Sequence, residues 1–240
     1  MSDIDDEDAD VEDVAANLAR VRERVAEACR AAGRDPGSVE LIAVAKGQPA
    51  SAIRAAHAAG QRRFGENYLQ EFARKAPTLA DLADMRWHFI GHLQRNKAKD
   101  VVALGCAVDT IDSARLAEAL DARATTTKRA IDVRIEVNVG DEPQKAGVTE
   151  ADLDALVSRV RALPALRLRG LMAIPPAASS HPESSRPYFP RLRELAAGLG
   201  LPDVSMGMSH DLEIAIEEGA TMVRVGTAIF GPRPAPGAAR

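Results

Sequence analysis

Lys46 closes an apolar run, Leu41-Ile42-Ala43-Val44-Ala45, and Gly47, Gln48 and Pro49 follow at once. The run reads as a short buried strand stopped by turn residues. A lysine at the C-terminal mouth of such a strand can keep its amine inside a pocket. Partial desolvation lowers its pKa, and the neutral amine can attack an aldehyde to form a Schiff base. The ordinary alternative is a lysine that snorkels out of a strand end, and this segment taken alone favours it.

Two later segments carry the residue types that hold phosphate. Ser205-Met206-Gly207-Met208-Ser209 follows one strand-like run and Gly226-Thr227 follows another. Small residues let backbone N–H groups approach an anion, and a hydroxyl adds a donor. Ser209 also suits the N-cap of a helix beginning near His210. Either segment alone reads as an ordinary cap or tight turn; the two together, each after a late strand, point to an anion.

Arg224 alternates with Val223 and Val225, so it lies on the opposite strand face. An arginine there needs a partner, either a structural ion pair or a ligand contact near the Gly226 turn. Glu136 and Asn138 alternate with apolar residues in the same way, toward the interior or mouth of the sheet. His88 and His92 have the spacing of a helical zinc pair, but Gly91 and the aromatic surroundings indicate a strand end, and no third ligand is indicated. A satisfied core histidine is the default for each.

Strand-like and helix-like segments alternate along the chain. The strands expected are Glu40–Ala45, Arg62–Gly65, Arg86–Ile90, Ala107–Ile111, Ile131–Val139, Arg167–Ala173, Asp203–Met206 and Met222–Val225. Helical patterns fall near 50–59, 66–75, 94–104, 113–124, 150–162, 184–199 and 210–218. This is an α/β pattern with a parallel sheet, and eight strands close a single (β/α)8 TIM barrel over residues 11–233. An open doubly wound sheet is the alternative. Val11, Val14, Leu18, Val21, Val25 and Ala28 recur at steps of three and four, which marks an extra N-terminal helix stopped by Gly33 and Pro36. It stands in for the helix expected after the eighth strand. Pro175 to Pro190 reads as a mobile surface loop beyond the sixth strand. Residues 1–10 read as a disordered acidic tail and residues 234–240 as a flexible one.

Composition removes several classes. The 240 residues are 46% hydrophobic but only 3% aromatic, so the core is built from Ala, Val, Leu and Ile. Eight acidic residues precede Arg20, the first basic one, and without them 31 basic residues face 27 acidic ones. No basic face with interleaved aromatics suggests nucleic acid. No apolar stretch is long enough to cross a membrane, and the acidic start is unlike a signal or transit peptide. Cys29 and Cys106 are too few and too far apart for a disulfide framework. A soluble cytoplasmic protein is expected.

The chain resembles the YggS/PROSC group, the pyridoxal-phosphate-binding homeostasis proteins. These share the fold of the N-terminal barrel of alanine racemase. The matching stretches are Ala43-Val44-Ala45-Lys46, Phe64-Gly65-Glu66-Asn67-Tyr68, Trp87 through Lys97, Leu168-Arg169-Gly170-Leu171-Met172, Ser205-Met206-Gly207-Met208-Ser209 and Val223 through Gly231. They run in order over nearly everything past residue 40. Two positions depart: the family usually has Ser or Thr before the lysine and often Thr after it, where this chain has Ala45 and Gly47.

The resemblance implies pyridoxal 5'-phosphate held covalently by Lys46. It implies a phosphate cradle of Ser209, Gly226 and Thr227, with Ser205 and Gly207 nearby. Arg224 becomes the partner of the pyridine nitrogen, Asn67 and His88 lining residues, and Met172 a packing residue. A guanidinium only donates hydrogen bonds, so it keeps that nitrogen unprotonated and weakens the electron sink that carbanion chemistry needs. Alanine racemase also draws a tyrosine base from a second domain of a partner subunit, for which this chain has no room past residue 231. The resemblance therefore implies a monomeric carrier that keeps the cofactor in homeostasis, with apo-enzymes as partners. The alternative is a small racemase with Lys46 as one base and Tyr68 or His88 as the other.

Overall fold

The computed structural model describes residues 3–176 and 181–232, with side chains from residue 13 onward. Eight strands form its centre: β1 Glu40–Val44, β2 Arg63–Glu66, β3 Arg86–Phe89, β4 Ala107–Ile111, β5 Ile131–Glu136, β6 Leu166–Met172, β7 Asp203–Ser205 and β8 Met222–Val225. Each pairs in parallel with its neighbours in sequence order, and β8 returns to β1 through Leu41↔Val223 and Ala43↔Val225. The barrel is therefore closed, and the open doubly wound alternative is excluded.

The helices are α1 Asp3–Ala31, α2 Ala50–Ala58, α3 Leu69–Thr78, α4 Ala98–Leu104, α5 Ala114–Thr126, α6 Glu150–Arg161, α7 Tyr188–Gly198, α8 Leu212–Glu217 and α9 Thr227–Phe230. Their apolar faces pack on the outward residues of the strands. Phe64, Phe89, Val108, Val133, Leu171, Val204 and Val223 belong to this sheet–helix core. Burying a side chain of that size contributes about 1.5–3 kcal/mol.

α1 fills the place that a longer helix after β8 would take. α9 is only four residues long and α8 only six. Val14, Leu18, Val21 and Val25 of α1 are buried. Polar bonds fix its flanks. Arg22 donates to Ala59 O beyond α2 at 2.8 Å, and Arg24 grips both carboxylate oxygens of Glu213 in α8 at 2.6 and 3.0 Å.

The other strand face fills the barrel interior, and much of it is charged. His88 Nδ1 lies 2.9 Å from Asp109 Oδ2. Arg134 donates to Asp109 Oδ1 at 2.7 Å and to Asp203 Oδ2 at 2.6 Å. Burial opposes ionisation of Asp109, but His88 and Arg134 beside it hold its carboxyl well below the usual range. Asp203 approaches β6 closely, because a Cβ on Gly170 would sit 2.0 Å from Asp203 O.

Several boundaries differ from the sequence expectation. The backbone of α1 runs from Asp3. α3 starts at Leu69, not 66, because β2 runs through Glu66 and Tyr68 takes the N-cap position. β5 ends at Glu136, since Val137 pairs instead with Val148 and Asn138 closes a turn onto Glu142. The segment expected as one long loop holds a 3-10 turn at Pro182–Ser185 and the start of α7. Proline fits the first turn of a helix, so a Pro-rich stretch need not be irregular. Its residues 177–180, like the tail at 234–240, lie outside the described residues.

Candidate functional site at the C-terminal mouth of the barrel

Sites on this fold sit at the C-terminal ends of the strands. Lys46 lies there, one residue beyond Ala45, and the alternation of β1 puts it on the interior side with Ile42 and Val44. Gln48 N–H donates to Ala45 O at 3.1 Å across a tight turn, and Gly47 has φ +74°. That conformation is open to glycine at little cost, which explains the residue after the lysine. The turn is gripped from outside the barrel. Gly47 N–H donates to Glu71 Oε1 at 2.6 Å, and Lys75 Nζ donates to Ala45 O at 2.7 Å. Lys75 also pairs with Glu66 at 2.7 Å and Glu71 at 2.5 Å. Burial pushes the Glu66 carboxyl up to about 7, against the pull of Lys75.

β8 is the strand beside β1, and Gly226 leaves it against the Lys46 strand. A Cβ at Gly226 would lie 3.2 Å from Val44 O and 3.4 Å from Val44 Cβ. Thr227 follows on the surface as the first residue of α9. β7 comes next around the barrel. Gly207 has φ +88°, and a Cβ there would meet Ala215 at 2.5 Å. Its carbonyl accepts from Arg224 N–H at 3.0 Å, which knits the turn after β7 to β8. Ser209 is half-buried, and Arg24 of α1 donates to its carbonyl at 3.1 Å. Ser209 is not the cap of the next helix. The N-cap of α8 is Asp211, whose carboxylate accepts from Met208 N–H at 2.7 Å. The cap moved because a carboxylate two residues on can bond back across the turn, which leaves the serine hydroxyl for other work.

Arg224 is buried inside the barrel. It donates to Ser205 Oγ at 2.8 Å and to Ala173 O at 2.9 Å. Burial lowers its pKa, while Asp109, Glu136 and Asp211 counter that shift. Met172, at the end of β6, is fully buried and in register with Ser205 and Glu136. Asn67 follows β2. Its backbone is packed so tightly on Gly91 that a Cβ there would lie 2.0 Å from Asn67 O, and among the described residues its Oδ1 is buried with no hydrogen-bond partner.

Nine of the ten residues singled out thus stand at or just inside the same mouth. His88 differs. Its ring is engaged by Asp109, and it lines a basin of about 840 Å³ at the opposite, N-terminal mouth. Those contacts are those of a satisfied core histidine. That basin is rimmed by Arg63, Arg86, Arg129, Arg167 and Arg169 and is remote from Lys46. Sequence reasoning passed over Glu66, Glu71 and Lys75. The available signal was Glu71 and Lys75 at i,i+4 beside an acid ending a buried strand.

The family model described as "Alanine racemase, N-terminal domain" matches residues 11–234. The "Pyridoxal phosphate homeostasis protein" of Pseudomonas aeruginosa is 49% identical over 222 residues, 92% of this chain and 96% of that one. The protein of the same name in Escherichia coli is 44% identical over 231 residues, 92% and 97% of the two chains. The chain belongs to the pyridoxal phosphate homeostasis protein family. A solved member, PipY of Synechococcus elongatus with PLP bound, superposes with a TM-score of 0.79 at 39% identity, over 91% of this chain and all of that one. Alanine racemase of Corynebacterium glutamicum shares the fold, with a TM-score of 0.70 at 21% identity over 95% of this chain and 63% of the racemase. Among the described residues no helix is long and apolar enough to cross a membrane, and no group of three His, Cys, Asp or Glu could hold a metal ion.

Proposed function

We propose that this protein binds pyridoxal 5'-phosphate at the C-terminal mouth, holds it as a Schiff base on Lys46 and releases it again, as a homeostasis and carriage factor rather than an enzyme with turnover. One observation carries the reading. The Lys46 turn, the Gly226-Thr227 turn and the Gly207–Ser209 turn follow three consecutive strands, β1, β8 and β7, at one end of a closed barrel.

The residues present fit the group. The bound cofactor supplies an aldehyde that captures amines and a ring that withdraws electrons. Lys46 supplies the amine: its nitrogen attacks the aldehyde carbon, a C=N bond forms and water leaves. Gly226 supplies backbone without a side chain where a Cβ would press on Val44. Ser209 and Thr227 add hydroxyls beside it. Arg224 uses two of its five donors on Ser205 and Ala173, and the others are available toward a ring nitrogen. Asn67 Oδ1, buried and unpartnered, is an acceptor suited to a ring hydroxyl.

The same residues disfavour racemisation. A permanent cation at the ring nitrogen keeps it unprotonated. Of the two second bases considered, His88 is engaged by Asp109, and Tyr68 is more than half exposed. The reading extends to a monomer in the cytoplasm, where the two buried free cysteines are at home, with cofactor-requiring apo-enzymes as recipients.

The test is borohydride reduction of the protein with pyridoxal 5'-phosphate, followed by peptide mapping and a chirality assay on L- and D-alanine. A reduced adduct on Lys46, absent from Lys46→Ala, with no sustained interconversion of alanine enantiomers is expected. An adduct retained in Lys46→Ala removes the lysine assignment, and interconversion over many turnovers makes the protein a racemase.

A further inference from the structure

An ordinary strand-end turn needs only the bond from Gln48 N–H to Ala45 O. This one is held by a cluster of three ionisable side chains taken largely out of water, although burying such groups is costly unless each is paired. Glu66 is fully buried, and the side chains of Lys75 and Glu71 are 11% and 17% exposed. They alternate as acid, base, acid. Lys75 Nζ bonds Ala45 O, the carbonyl of the peptide that enters Lys46. Glu71 Oε1 accepts from Gly47 N–H, the amide of the peptide that leaves it. Both peptide groups flanking Lys46 are therefore tied to one ion cluster, which is anchored to the end of β2 through Glu66.

The cluster lies on the helix side of the sheet, between β2 and α3. It touches the backbone of Lys46 and not the barrel interior where the amine belongs. Its contacts are thus spent on the direction of the lysine, not on a ligand. Lys75 is the member that meets both the carbonyl and the two acids.

We propose that Glu66, Lys75 and Glu71 are positioning residues for Lys46, fixing its turn so that the side chain enters the mouth at the angle from which it reaches an aldehyde. The proposal rests on the reading of Lys46 as the covalent site. Misplacement of a reacting group by a fraction of its reach costs far more in reaction than in binding of an unreactive analogue.

The experiment compares wild type with Lys75→Met, Glu71→Ala and the charge-neutral pair Glu66→Gln/Lys75→Met. Two measurements are made on each. One is the dissociation constant for pyridoxal 5'-phosphate against that for pyridoxamine 5'-phosphate, which bears an amine in place of the aldehyde and forms no bond to lysine. The other is the pH profile of Lys46 reductive methylation by formaldehyde in the apo-protein, read by peptide mapping. Roughly tenfold weaker binding of the aldehyde is expected, with less than about twofold change for the amine analogue and a displaced Lys46 profile. Equal weakening of both ligands, or an unmoved Lys46 profile, would make the cluster merely structural and overturn the proposal. Glu71→Ala, the most exposed position, carries the test if the Lys75 variants do not fold. A wild-type protein that takes no adduct at Lys46 would instead overturn the carrier reading, whatever the variants do.

Discussion

Arg224 Nη1 donates to Ser205 Oγ at 2.8 Å, joining β8 to β7 inside the barrel. The second arm reaches Ala173 O, just past β6, so one guanidinium ties the ends of three strands. Its charge also faces Glu136, whose carboxyl burial pushes up and Arg224 pulls down. The residue expected to meet the ring nitrogen is therefore also a structural cation.

Arg224→Met removes both roles. It leaves Glu136 buried without its main counter-charge, so a loss of roughly 3 kcal/mol of stability is expected. In a Glu136→Gln background the same change costs clearly less. Urea denaturation of the four proteins measures the difference, and identical losses in both backgrounds would show that the two groups are not coupled.

Ser209→Ala with Thr227→Val removes hydroxyl donors from the turns after β7 and β8. Hydrogen bonds to a charged group contribute about 1.5–3 kcal/mol each, so affinity for pyridoxal 5'-phosphate and for its amine analogue falls together, by roughly a hundredfold or more. Stability changes little, because Thr227 is exposed and Ser209 half-buried. Unchanged affinity in a calorimetric titration would take both residues out of the cradle.

Gly91→Ala inserts a methyl group where Asn67 O already stands. The backbone after β2 or β3 has to move, at a cost of about 1–3 kcal/mol. Asn67 moves with it, so cofactor affinity drops as well. Thermal melts and binding on one preparation test the link; normal values for both would mean the loop relaxes freely.

Two buried acids give opposite pH dependence. Asp109 is held ionised, so its contribution is present above the unfolded carboxylate range near 3.9 and is lost as pH falls through its lower folded value. Glu66 is raised to about 7. Its contribution is complete below the unfolded value near 4.3 and is lost as pH rises to about 7. The groups facing it are Lys75, Glu71 and the Asn67 amide. The stability of wild type relative to Glu66→Gln is expected to fall between about pH 4.5 and 7.5. A flat difference across that window would mean that Lys75 keeps Glu66 ionised throughout.

Much of this architecture could be read along the chain because strands of a closed parallel barrel are buried on both faces and stand out as apolar runs. Ala107–Ile111 and Met222–Val225 match their expected bounds, and the other six strands shift by one to three residues at one or both ends. What stayed hidden depends on partners distant in sequence. His88 reads by default as a satisfied core histidine, but only the fold supplies its partner, Asp109 on the next strand. Ser209 is the exception: it has the residue type of a cap, and the competitor that takes the position, Asp211, is only two residues away. Lys75 reads as one more charge on a polar helix, and only the fold brings it under Ala45, thirty residues back.

The bonds that seat α1 have a further consequence for the order in which the molecule assembles. Arg24 and Glu213 are 189 residues apart, so α1 meets this partner only after β1–β7 and α2–α7 have been made. Until then its stripe of Val14, Leu18, Val21 and Val25 has no β8–α8 seam to cover. Contacts of such long sequence separation slow folding, because the loop must close before the contact rewards it. The barrel is thus latched through α1, whose seat beside the site-bearing turn at Ser209 depends on contacts of very long sequence separation.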